Sequence, residues 1–186
     1  MEVKIDISKT AGELSMKHKL TRCLWQVTWA LGTFFLPRSL GAGWKRFLLR
    51  LFGANIGKGA VVYSSASIYY PKNLVLGNYS TIDARVKIYN VAPIYIGDNT
   101  IISQGAFLCT ASHDITDPMN KLVTASIDVK DQVWIAAETF VGMGVTIGQG
   151  GVVGARTVVF KDVAPWMVVV GNPARVVKER IVKTAE

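Results

Sequence analysis

The sequence predicts an all-β chain with a helical N-terminal segment, its body a parallel β-helix interrupted by one protruding loop. Three observations point there. An aliphatic residue recurs about every six positions from Ile56 to Val159. A small or β-branched residue often stands four places after it, as Ala60, Ala66, Ser80, Thr100, Ala106 and Thr139 do. The beat stops once, after Leu108, and resumes at Val129. Neither a period-two strand nor a 3.6-period helix produces this spacing. A prism of very short parallel strands does: each face gives one aliphatic to a narrow interior, and stacked coils bury a core that no single coil could.

The chain of 186 residues, half of them apolar, suffices for one domain with a substantial core and argues against disorder. The net charge of +8 favours anionic partners, although an ordinary basic surface fits equally well. Two distant cysteines, Cys23 and Cys109, suggest neither a disulfide framework nor a thiol metal site. With only His18 and His113, a three-histidine site within one chain is excluded. The sequence also lacks a Walker loop and a Rossmann glycine fingerprint.

Residues 1–17 read as a polar arm. From His18 to Leu36 large apolar residues crowd together, and Pro37 ends the run. A second helical pattern follows through Trp44, Phe47, Leu48, Leu51 and Phe52, with Gly53 as its stop. The uncharged stretch from Cys23 to Leu36 is 14 residues, short of the ~20 that cross a bilayer. Two readings of residues 18–53 stay open. The helices cover the ladder or a neighbouring subunit, or they form an interfacial anchor with Lys17, Lys19, Arg22, Arg38, Lys45 and Arg46 near lipid headgroups. The chain thus divides into the arm and helical segment (1–53), the β-helix (54–164, loop 114–126) and a closing segment (165–186).

Inward positions run Ile56, Val62, Ile68, Leu74, then reset by two residues at Leu76, Ile82, Ile88, Ile94, and again at Ile96, Ile102, Leu108. After the break come Val129, Ile135, Val141, Ile147, Val153 and Val159. The resets read as extra corner residues. Glycines directly after the aliphatic, such as Gly57, Gly77, Gly97 and Gly148, are expected to turn corners at positive φ. Pro165 to Arg175, followed by a short helix through Ile181, is expected to close the prism.

The break is the expected place of the chemistry, although its histidine also reads as a structural residue capping the break. His113 stands at its edge and is the one side chain there that titrates near neutrality. Long loops in a compact fold are usually functional or mobile. A neutral imidazole there can act as a general base. Cys109, placed by the repeat phase at a corner, is a poor nucleophile candidate.

The six-residue pattern resembles the hexapeptide-repeat acyltransferases. The resemblance implies a left-handed parallel β-helix, against the general rule for crossovers, and homotrimers with active sites between subunits. Ile96-Gly97-Asp98-Asn99 and His113, with Val133-Trp134-Ile135-Ala136, are similar to sugar O-acetyltransferases of the galactoside and maltose type. Phe47 to Ala54, Ile102-Ser103-Gln104, Leu108 to Asp114 and Gly171-Asn172-Pro173-Ala174 resemble the colanic acid biosynthesis acetyltransferase family over nearly the whole chain.

That resemblance implies acetyl-CoA-dependent O-acetylation of an exopolysaccharide or its precursor. His113 would be the general base, with no metal required and no nucleic acid as partner. Asp83 replaces the asparagine that binds substrate in the galactoside type; its other reading is a plain corner residue after Ile82. Trp134 matches a tryptophan near the active-site tunnel and reads equally as packing. Ala137, Gly142 and Ala155 match positions that bind a pantetheine arm. Lys161, Arg175 and Lys178 match cations near the cofactor phosphates, and Arg156 is a further basic candidate without a counterpart. The work is expected in the cytoplasm, at the inner membrane face if residues 18–53 are an anchor. An acetyltransferase for another small acceptor, such as a drug or serine, and a non-enzymatic scaffold are the alternatives.

Overall fold

The computed structural model describes residues 15–36 and 41–183. Of the expected arm over residues 1–17, residues 1–14 lie outside them, as do Pro37 as a helix stop and the cation of Arg38; Met16 and Lys17 belong to a helix instead. Helix α1 spans Met16–Thr33 and helix α2 spans Ala42–Leu51. Ser15 caps α1, its hydroxyl accepting from the His18 amide at 3.2 Å.

The body is a three-faced parallel solenoid. Face 1 stacks strands Asn55–Ile56, Leu74–Leu76, Ile94–Ile96, Ile127–Val129 and Thr146–Ile147. Face 2 stacks Val61–Val62, Thr81–Ile82, Ile101–Ile102, Trp134–Ile135, Val152–Val153 and Met167–Val170. Face 3 stacks Ser67–Ile68, Lys87–Tyr89, Phe107–Cys109, Phe140–Val141 and Val158–Val159. Each predicted inward aliphatic sits on its counterpart in the next coil: Val62, Ile82, Ile102, Ile135 and Val153 form one such column. Every member of it is at most 1% exposed. Two-residue strands cannot stand alone; burying the aliphatic, roughly 1.5–3 kcal/mol per side chain, makes the column the stabilising unit.

Three expectations are corrected. The two-residue resets are not corner insertions. They lengthen the face 1 strands to Leu74–Leu76, Ile94–Ile96 and Ile127–Val129, whose first and third residues are both buried. The period-two strand geometry turns two aliphatics inward from one strand.

The glycines after the aliphatics are also not at positive φ. They mark where successive coils touch: a Cβ on Gly57 would lie 2.6 Å from the Asn78 nitrogen, and one on Gly97 would lie 2.7 Å from the Asp131 nitrogen. The left-handed corner comes two residues later, at Gly59, Tyr79, Asn99, Gln132, Gly150 and Trp166, with φ from 54° to 69°. Backbone hydrogen bonds hold the non-glycine corners there, as Tyr79 N–H to the Lys58 carbonyl (2.8 Å) and Gln132 N–H to the Asp98 carbonyl (2.8 Å).

The third correction is the closing segment. Instead of a helix, Arg175–Glu179 forms an antiparallel strand on Met167–Val170. A helix there would leave the edge of face 2 unpaired, and the returning strand covers it.

The two helices seal the first coil. Trp25 and Trp29 are buried, and the Trp25 Nε1 donates to the Ile68 carbonyl at 2.7 Å. The Arg50 guanidinium donates to the Ile56 carbonyl and that of Arg46 to the Ala60 carbonyl. These bonds satisfy backbone oxygens at the end of the solenoid.

Candidate active site

The break in the repeat is not a structureless loop, as its composition suggested. Strands Ala111–His113 and Leu122–Thr124 pair antiparallel, His113 opposite Leu122, as an arm leaving the edge between face 3 and face 1. The out-of-phase residues of this stretch fit a hairpin off the prism, where the six-residue rule does not apply. Cys109 ends the face 3 strand rather than lying in a turn; its thiol meets the Ala111 carbonyl at 3.2 Å.

His113 is exposed, and its Nδ1 lies 2.7 Å from the Asn120 carbonyl oxygen. A carbonyl only accepts, so in the neutral ring this contact places the proton on Nδ1 and leaves the lone pair on Nε2. The turn that presents Asn120 is built from its own side chains. The Asp114 carboxylate accepts from the Thr116 hydroxyl (2.6 Å) and amide (2.9 Å), and the Asp117 carboxylate from the Met119 amide (2.8 Å). The hydroxyl of Thr116 and then its amide hold the Asp114 carboxyl below its ordinary value, keeping it ionised. Asn120 takes φ 51°, and its amide donates to the Asp117 carbonyl at 2.8 Å.

Asp83 lies at the edge between faces 2 and 3, in a cleft of about 410 Å³ with Tyr63, Ala84, Arg85 and Gln104. Its carboxylate accepts from the next amide, Ala84, at 2.6 Å. Trp134 points outward from face 2, 46% exposed, and its Nε1 donates to the Ser103 hydroxyl at 3.0 Å. Ser103 occupies the same edge as Asp83, one coil on: Asp83 N–H donates to the Ile102 carbonyl, and Ser103 N–H to that of Ile135.

Four of the remaining candidates divide between two edges, that of Asp83 and that of His113. Ala137 and Ala155 follow face 2 strands; the Ala137 carbonyl accepts from the Arg156 amide at 2.9 Å. Gly142 and Lys161 follow face 3 strands, on the edge that carries His113. Gly142 is buried, its N–H donates to the Val159 carbonyl at 2.9 Å, and a Cβ would lie 2.7 Å from the Phe160 ring. Lys161 and Arg175 line one cleft of about 390 Å³ at the C-terminal end. Lys178 stands on the exposed closing strand, outside that lining. Arg156 pairs with Glu138 at 2.6 Å. Among the described residues no group of three or more His, Cys, Asp or Glu is placed to hold a metal ion.

One chain therefore sets His113, Gly142 and Lys161 on one edge of face 3, and Asp83, Ala137 and Ala155 on the other. Sequence reasoning missed Asn120 and Ser103. The first offers only its backbone and the second a hydroxyl of common type, so neither stands out by residue type.

No protein-family model matches the chain. WcaF of Escherichia coli, assigned to colanic acid biosynthesis as an acetyltransferase, is 45% identical over 138 residues, 74% of this chain and 76% of its own. The galactoside O-acetyltransferase of Escherichia coli is 29% identical over 135 residues, 71% and 66% of the two chains. A hexapeptide-repeat acetyltransferase of Vibrio cholerae, solved in complex with acetyl coenzyme A, superposes with TM-score 0.79 at 27% identity, covering 90% of this chain and 91% of that one. Similarity to WcaF at that level over about three quarters of both chains shows the family: this chain belongs to the hexapeptide-repeat acetyltransferases, beside the colanic acid biosynthesis enzymes.

Proposed function

We propose that the chain transfers an acetyl group from acetyl-CoA to a hydroxyl of a saccharide, an exopolysaccharide unit or its lipid-linked or nucleotide-linked precursor. The observation that carries the reading is the contact of His113 Nδ1 with the Asn120 carbonyl, which leaves Nε2 as a basic lone pair on an exposed ring. Nε2 takes the acceptor proton, the alkoxide oxygen attacks the thioester carbonyl, and the C–S bond breaks. The departing sulfur recovers the proton from the imidazolium, so no covalent acetyl-enzyme is needed.

Lys161 and Arg175 share a cleft and suit the phosphates of the donor, a multiply charged anion. Ala137, Gly142 and Ala155 line the route of its pantetheine arm, and Lys178 adds charge from the closing strand. Asp83 and Trp134 serve the acceptor side. Their separation from His113 across face 3 is resolved in a homotrimer, where the His113 edge of one subunit meets the Asp83 edge of the next. The acceptor class follows the relatives named above.

The test is CoA release from acetyl-CoA with a panel of saccharides, a hydroxylated antibiotic and serine. Turnover with saccharides alone is the expected result. Preference for the antibiotic or serine would reassign the acceptor, and failure to bind acetyl-CoA by calorimetry would leave a scaffold.

A further inference from the structure

Helix α1 has two apolar faces, and the prism uses one. Trp25, Trp29 and Thr33 turn inward and are buried. Met16, Leu20, Leu24, Val27 and Leu31 turn outward, each between 51% and 74% exposed. Their spacing of three and four residues puts them in one stripe along the helix. Trp44, Phe47 and Leu51 of α2, 47–65% exposed, extend the apolar surface. Trp44 ties the two helices together, its Nε1 donating to the Gly32 carbonyl at 3.0 Å while its ring stacks on Phe47. Isolated exposed leucines need no explanation, but exposed apolar stripes on two helices tied together mark a contact.

Charge indicates the partner. From Leu14 to Ile82 the sequence holds nine Lys and Arg and no Asp or Glu; Arg22, Arg46 and Arg50 turn to the prism and Lys45 is buried, so the cations beside the stripe are those of the first turn. Lys17 and Lys19 stand exposed in the first turn of α1, which has no acidic residue. Cations at that end are disfavoured by the helix dipole, and an anionic partner would offset the cost. No described helix is long and apolar enough to cross a membrane, so the stripe suits a helix lying in an interface. A second copy of the same face would set two acid-free basic surfaces against each other.

We propose that the outward surface of α1 and α2 docks on an anionic phospholipid bilayer, apolar side chains entering the acyl boundary and lysines meeting lipid phosphates. The proposal stands apart from the identity of the acetyl acceptor.

The test is flotation of the full-length chain with phosphatidylcholine vesicles and with vesicles that also contain phosphatidylglycerol. The variant is the triple substitution Leu20→Gln, Leu24→Gln, Leu31→Gln. All three positions are exposed, so the buried contacts of Trp25 and Trp29 survive; truncation at Ala54 would instead bare the first coil. The wild type is expected to float with the anionic vesicles and to lose binding as salt rises. The variant should partition at least ~10-fold more weakly, with unchanged melting temperature and unchanged mass by light scattering. Equal flotation of both proteins, or equal wild-type binding to neutral vesicles, would overturn the proposal. So would a fall in the variant's oligomeric mass, which would make the surface a subunit contact.

Discussion

What His113 can do depends on a carbonyl group. The Asn120 oxygen holds Nδ1 at 2.7 Å and so selects the tautomer with Nε2 available. Asn120 supplies that oxygen from φ 51°, a region asparagine tolerates and β-branched residues resist. Asn120→Val is therefore expected to lower kcat roughly tenfold while leaving KM for acetyl-CoA nearly unchanged, whereas Asn120→Gly keeps most of the rate. Equal losses in both variants would remove the positioning role of this residue. The place of His113 at the edge of the break was legible in the sequence because the repeat stops beside it. Asn120 was not, because every residue carries a carbonyl and only the backbone conformation singles this one out.

Among the elements, α1 shows how far apolar patterning reads. The crowding of Trp25, Trp29 and their neighbours announced a packed helix, but composition could not separate the face that seals the first coil from the face that looks outward. His18 ties this helix to the prism, its ring 4.1 Å from that of Tyr70. Burial, and next the Arg22 guanidinium, hold the His18 imidazole below its ordinary value of 6.5, and its Nδ1 is buried without a hydrogen-bond partner. Because the unfolded chain takes up this proton more readily, the contribution is complete above the ordinary value. It is lost as pH falls toward the lowered one. The melting temperature should fall as pH drops below about 6.5 by more in the wild type than in His18→Gln. The same fall in both would assign it to other groups.

Across the whole molecule, the six-residue beat foretold the three columns of the core nearly residue by residue, because one aliphatic per face is what a narrow prism demands. The corners were harder to read. Contact between coils selects glycine at Gly57 and Gly97, while positive φ falls on Tyr79, Gln132 and Trp166, whose side chains give no hint of it. Nor could a linear sequence show that the site candidates lie on opposite edges of face 3. If two subunits complete each site, oligomers reassembled from His113→Ala and Asp83→Ala chains should regain activity, about a quarter of the wild-type rate for random trimers. Recovery no greater than the average of the two variants alone would place the site within one chain.

The proposed role of His113 in acetyl transfer is tested most directly by the turnover of His113→Ala, read as CoA release with a saccharide acceptor, alongside calorimetry of acetyl-CoA binding. The expected result is a fall in kcat of roughly 10²–10⁴-fold with donor affinity retained. Near-normal turnover in a variant that still binds the donor would contradict it.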